Sequence, residues 1–210
     1  MRLRVAVLLT LALGFFSSSA FAQPVLEYNV KGGIGFATLS FDNDDFSEFF
    51  DGQRTGLIIG GGVDIPAGNV IVIGVDLLYN QKGASGSDVD EDLTMKLDYI
   101  EIPILIKYPF NATNNIRPFV YGGFSPAFAV SRKVEGTEDG DDVDFEIDDD
   151  VKSFDNSFVL GGGVRFGQMA VEARYNFGVQ NIVDDASDDI EGDAKTRQFS
   201  ILFSYIFGGR

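Results

Sequence analysis

Met169-Ala170-Val171-Glu172-Ala173-Arg174-Tyr175-Asn176-Phe177-Gly178-Val179-Gln180 is the stretch that decides the fold. Its odd positions carry Met, Val, Ala, Tyr, Phe and Val; its even positions carry Ala, Glu, Arg, Asn, Gly and Gln. A period of two sends successive side chains to opposite faces of a strand, whereas a helix would group residues three and four apart. The segment therefore has one wholly apolar face and one that mixes small residues with charges. The same division separates Ile71, Ile73, Val75, Leu77 and Tyr79 from Val72, Gly74, Asp76, Leu78 and Asn80. It recurs in the last strand, where Phe199, Ile201, Phe203, Tyr205 and Phe207 oppose Gln198, Ser200, Leu202, Ser204 and Ile206. An apolar band with aromatics towards the strand ends suits lipid, and small polar residues suit a narrow lumen filled by side chains. A soluble lipocalin-like barrel, the alternative, would invert the pattern.

Outward from this stretch, alternation predicts strands over residues 26–41, 55–65, 70–82, 93–108, 116–130, 154–166, 169–181 and 196–207. Short breaks at 66–69, 109–115 and 167–168 alternate with long ones at 42–54, 83–92, 131–153 and 182–195. Short periplasmic turns and long external loops characterise transmembrane barrels. The expected fold is thus all-β: an eight-stranded antiparallel up-and-down transmembrane barrel over residues 23–210. Two strands change parity: Met95, Leu97 and Tyr99 are odd, while Ile100, Ile102, Ile104 and Ile106 are even. A β-bulge near Tyr99 and a similar slip near Thr38 are therefore expected. Pro103, Pro118 and Pro126 each remove a ladder donor and belong at bulges or barrel rims.

Residues 1–22 read as a secretory signal peptide, with Arg2 and Arg4 before an apolar run and Ala20-Phe21-Ala22 at the cleavage site. The apolar run of 12 residues before Ser17 is too short to span a bilayer, which needs about 20. With no cysteine, the chain has neither disulfides nor a lipidated N-terminal Cys. The triple glycines Gly60-Gly61-Gly62 and Gly161-Gly162-Gly163 lack the following helix and Lys-Ser or Lys-Thr of a phosphate loop, so they mark close backbone approach. Asn111-Ala112-Thr113 is formally a glycosylation sequon, in an expected periplasmic turn.

Lys plus Arg number 16 and Asp plus Glu 32; removing Arg2 and Arg4 leaves 14 against 32, a net −18. The four long breaks hold 5, 4, 10 and 6 of the acids, in order along the chain. Such a rim repels nucleic acid and attracts divalent cations or basic partners. Asp139, Asp141, Asp142, Asp144, Glu146, Asp148, Asp149 and Asp150 supply hard oxygens for calcium, but no EF-hand glycine organises them, and a solvated loop is the favoured reading. Partners are therefore the outer-membrane lipid bilayer and, at the rim, divalent cations or basic surfaces. The barrel is expected to be a monomer.

The inward faces carry eight further ionisable groups. Asp64, Lys107, Arg117 and Arg165 fall near the periplasmic end, Glu172 slightly above, and Asp76, Glu101 and Arg174 near mid-height. Four acids meet four bases, and burial demands pairing, so Arg174 is expected to bridge Asp76 and Glu101.

Several segments resemble the outer membrane β-barrel domain family that includes the PorT-like proteins. They are Val30-Lys31-Gly32-Gly33-Ile34-Gly35, Val75-Asp76-Leu77-Leu78-Tyr79-Asn80-Gln81-Lys82-Gly83, Leu97-Asp98-Tyr99-Ile100-Glu101-Ile102-Pro103 and Arg117-Pro118-Phe119-Val120-Tyr121-Gly122-Gly123, with the aromatic last strand. The resemblance implies an outer-membrane barrel and carries over no catalytic residue. One departure is that Gly208-Gly209-Arg210 follows Phe207, where such barrels often end on the aromatic. Without histidine or cysteine, Ser-His-Asp sites, cysteine nucleophiles and His- or Cys-ligated zinc are impossible. The expected role is structural, adhesive or binding, with no enzyme activity and no cofactor; a small-solute channel or an accessory of a secretion machine are the alternatives.

Overall fold

The computed structural model describes residues 25–41, 52–68, 70–88, 91–110, 116–138, 141–146, 152–181 and 194–209. The signal segment 1–22, the sequon at 111–113, and Asp139 and Asp148 to Asp150 lie outside them. The strands are β1 (Glu27–Phe41), β2 (Gly52–Ala67), β3 (Ile71–Asp88), β4 (Glu91–Glu101), β5 (Ile104–Pro109), β6 (Ile116–Glu138), β7 (Asp141–Glu146), β8 (Phe154–Phe166), β9 (Met169–Gly178) and β10 (Ala194–Gly208). Each pairs antiparallel with its neighbours, and β1 bonds to both β2 and β10, which closes the sheet on itself. β4 and β5 both lie between β3 and β6 and form two halves of one stave, while β7 folds back only on β6. The ring therefore has eight staves. Closure leaves the eight-stave ring itself without a free edge, as a bilayer requires.

The interruption in the fourth stave has a local cause. Glu101 pairs with Ala127 and Ile104 with Phe124, so the missing rungs fall at Ile102 and Pro103, level with Pro126 on β6. Two prolines remove two donors from one short stretch. What remains is carried by Ile102 N–H to the Pro126 carbonyl at 2.9 Å and Asp76 N–H to the Pro103 carbonyl at 3.0 Å. At one end of the barrel Phe166 pairs with Met169 around a two-residue turn, with Gly167 at φ 60°, a conformation that penalises a Cβ. At the other end the staves run on: β3 and β4 extend to Asp88 and Glu91, and β6 continues to Glu138 before β7. Residues 83–88, 91–92, 131–138 and 141–146, expected as loops, are thus paired strand.

The irregularity expected near Tyr99 is present but does not reverse the faces of its own strand, and the slip expected near Thr38 is absent. Met95, Leu97 and Tyr99 do not turn outward through a bulge in their own strand. They are buried in line with Glu101, Leu105 and Lys107, and the parity of the stave is unbroken. Hydrophobicity misled there, because the upper lumen accepts apolar side chains. The irregularity lies in the partner strand: Asp98 pairs with Ser131 but Tyr99 with Ala129, leaving Val130 extra. β1 likewise shows no slip near Thr38, pairing in one register with β10 throughout.

The outer surface is the apolar band. Leu57, Leu77, Ile106, Leu160 and Phe203 are all more than half exposed, which in water would be a large unfavourable patch. Aromatics bracket it, Tyr28 against Phe207 and Tyr108 against Phe110 at the turn end, Phe128 against Phe154 at the other. These are the interfacial girdles of a membrane barrel. Small apolar clusters inside the bore, Ile58–Leu78–Leu202 and Leu105–Tyr121–Val159, flank the buried charges.

Candidate functional site

β9 places Glu172 and Arg174 one pleat apart on its inward face, and β3 does the same for Asp76, Leu78, Asn80 and Lys82. The alternation that turns Val171 and Ala173 to lipid therefore commits these charges to the bore. Closed packing then selects their partners. Arg174 Nη2 lies 3.1 Å from Asp76 Oδ2 and 3.6 Å from Glu172 Oε2, and Nε donates to the Tyr121 hydroxyl at 3.1 Å. From β1, Lys31 Nζ reaches Asp76 at 2.9 Å and Glu172 at 3.3 Å. Ser204 donates to Glu172 at 3.2 Å. All four charged side chains are at most 4% exposed, so charges from three strands meet across the bore. Tyr121 fits because its direct partner across the ladder is Gly161, where a Cβ would lie 2.4 Å from the ring.

Below this cluster Lys107 pairs with Asp64 at 2.8 Å, and Arg165 grips Glu27 through two bonds of 2.6 and 2.9 Å. Arg117 is exposed and stands opposite Arg165 on the neighbouring strand. These residues, with Phe119, line a cavity of about 340 Å³ at the turn end, which reaches inward to Lys31 and Glu172. Above the cluster, Asn80 and Gln198 exchange amide hydrogen bonds of 2.7 and 3.0 Å. Higher still, Lys82 Nζ lies 2.6 Å from Glu101 and 3.8 Å from Asp155, with its ammonium 5.2 Å from the centre of the Tyr99 ring.

Of the eight expected lumen residues, the structure joins Asp76, Glu172 and Arg174 in one cluster and Asp64 with Lys107 in a second. Arg165 turns to Glu27, and Arg117 stands at the mouth. The expected bridge from Arg174 to Glu101 is not formed. Glu101 sits opposite Leu78, a pleat above Asp76, and Lys82 takes it instead. Sequence reasoning missed Lys31, Lys82, Glu27 and Asp155. Parity held the signal for two of them, since Lys82 shares the even face of Asp76 and Asn80, and Asp155 the face of Ser157 and Val159. Among the described residues no group of three or more His, Cys, Asp or Glu could hold a metal ion. The side chains of Asp141, Asp142, Asp144 and Glu146 lie outside what is described.

No curated protein matches the chain. Among solved structures, it is similar to neisserial surface protein A, with 12% identity, a TM-score of 0.48, and coverage of 86% of this chain and 97% of the other. It is also similar to Ail of Yersinia pestis, with 12% identity, a TM-score of 0.45 and coverage of 87% and 99%. For OprG of Pseudomonas aeruginosa the values are 8%, 0.45, 88% and 97%. The family model for the outer membrane protein beta-barrel domain matches residues 21–184. The closed eight-stave ring, the lipid-facing apolar band and that match agree, and the chain belongs to the outer membrane protein beta-barrel domain family, a protein of the outer membrane.

Proposed function

We propose that the protein is a closed outer-membrane barrel, its lumen plugged by its own ion pairs, with a structural, adhesive or binding role carried by its acidic extracellular end. The observation that carries this reading is the cluster of Lys31, Arg174, Asp76 and Glu172, each at most 4% exposed and drawn from strands on different sides of the bore. Eight staves leave room inside for side chains, whereas aqueous pores are found in barrels of roughly 16 strands. The apolar clusters around the charges lower the local dielectric and strengthen the pairs. A catalytic role is disfavoured because the chain has neither histidine nor cysteine. The four segments that the sequence pattern assigns to long external loops hold 25 of the 32 acidic residues, so a surface built from them would select basic or cation-bridged partners.

Planar-bilayer recording tests the closed lumen: the wild-type barrel should insert without steady conductance, and reproducible open-channel current would overturn the reading in favour of a small-solute channel. Cross-linking on intact cells tests the binding role. Capture should weaken as salt rises, because contacts to an acidic surface are screened.

A further inference from the structure

The upper lumen holds more buried oxygen than its cations satisfy. Lys82 Nζ serves both Glu101 Oε1 and Asp155 Oδ2, so those two oxygens lie no further apart than the sum of 2.6 and 3.8 Å. Asp155 Oδ2 also accepts the Thr196 hydroxyl at 2.8 Å. Asp155 Oδ1 and Glu101 Oε2 have no hydrogen-bond partner among the described residues. Glu101 and Asp155 flank Ala127 from opposite sides of β6, and one pleat lower Ser125 and Ser157 are direct partners. Those hydroxyls are 0% and 1% exposed, face the same bore, and likewise lack partners.

Arg54 pairs with Asp98, and Arg132 donates to Ser153 Oγ at the outer edge. Lys82 is the one described cation within 4 Å of either carboxylate. Arg117, the surplus base, stands level with Arg165, ten residues from Asp155 along β8. That is roughly 33 Å of strand, too far to neutralise a buried charge.

We propose that the upper lumen binds one small, hard monovalent cation of the sodium class, held by Asp155 Oδ1, Glu101 Oε2 and the hydroxyls of Ser125 and Ser157. One ammonium against two carboxylates leaves a single negative charge, and leaving it uncompensated away from water is costly. A monovalent ion completes the balance; a divalent one would reverse it and calls for more carboxylates than stand here. Carboxylate and hydroxyl oxygens are the donors hard cations prefer. The inference requires the barrel and its register, not a closed pore, so conductance would leave it standing.

The test is thermal unfolding of the detergent-refolded barrel at about pH 8, where ordinary carboxyls are ionised. Sodium is exchanged for N-methyl-D-glucamine at constant ionic strength. Sodium should raise the unfolding temperature saturably, by several degrees, as a ligand of the folded state does. Asp155→Asn and Glu101→Gln each leave Lys82 with one carboxylate; both should lose the sodium effect and, without sodium, unfold no earlier than the wild type. Ser157→Ala keeps the charges and should weaken apparent sodium affinity several-fold. Should Asp155→Asn not fold, Glu101→Gln carries the same decision. A wild-type unfolding temperature indifferent to sodium overturns the proposal, as does a sodium effect undiminished in the carboxylate variants. So does stability that ignores sodium but falls with rising pH and loses that dependence in Asp155→Asn, for the balancing charge is then a proton.

Discussion

In the lower lumen three cations, Lys31, Lys107 and Arg174, meet three carboxylates, Asp64, Asp76 and Glu172, whereas the upper lumen sets Lys82 against both Glu101 and Asp155. Counted with Arg117 and the Arg165–Glu27 pair, and leaving aside Arg54 with its partner Asp98, six described bases face six acids. The count balances globally and fails locally. Burial acts on local balance, because charges more than about 8 Å apart interact weakly in salt wherever water reaches them. The lower end therefore behaves as a self-satisfied ion cluster and the upper end as a site with an unmet charge. Substitutions of the same chemical type should have different costs at the two ends.

The largest effect is expected for Arg174→Ala. It removes the group shared by Asp76, Glu172 and Tyr121 and strands buried carboxylates, which typically costs about 3–5 kcal/mol. Urea unfolding in lipid or detergent should read that loss, and bilayer recordings should still show no large pore, since eight other charged groups and the apolar clusters remain in the lower bore. A loss below about 1 kcal/mol, the range of a hydrated surface pair, would mean that the lower lumen is as wet as the surface and would erase the contrast.

A sharper form compares carboxylate with amide at both ends. Asp76→Asn leaves Lys31 and Arg174 sharing only Glu172, so it should cost several kcal/mol. Glu101→Gln leaves Lys82 with Asp155, a balanced pair, and should cost much less in the same buffer. Equal costs would break the comparison. Between these in kind stands Gly161→Ala, which alters no charge. Its new Cβ would press on the Tyr121 ring, and the overpacking should cost about 1–3 kcal/mol and shift the tyrosine fluorescence.

The sequence was most legible where side chains obey one rule. β9 and β10 were readable because lipid outside and charge inside give strict alternation, and Glu172 and Arg174 were placed on the lumen face for that reason. Legibility failed where the bore itself turns apolar: Met95, Leu97 and Tyr99 looked like lipid-facing residues and prompted a bulge that their strand does not contain. Pairing across the barrel was harder still. Which base meets Glu101 depends on stagger between staves, and one pleat separates the level of Asp76 from that of Leu78 and Glu101. Lys31 went unseen because the expected slip in β1 obscured its face, although Asn29, Lys31 and Ala37 are buried in unbroken parity.

The smallest effect is expected outside the membrane, at the pair formed by Lys96 and Glu135 across β4 and β6. Its chemistry matches that of Lys82 and Glu101, and both pairs join a lysine to a glutamate between neighbouring staves. The surroundings differ: the side chains of Lys96 and Glu135 are 36% and 40% exposed, those of Lys82 and Glu101 1% each. At the rim, water hydrates either partner when the other is removed, so no charge is stranded, and ordering two long side chains offsets the attraction. Lys96→Met and Glu135→Gln should therefore unfold with the wild type within error at physiological salt, singly or together. Lowering the ionic strength lengthens the screening distance, and only then should the single variants separate from the wild type while the double variant follows neither. A clear loss in physiological salt would show that the strands projecting beyond the girdles are themselves packed and dry, and the boundary between structural and solvated charge would have to be drawn higher.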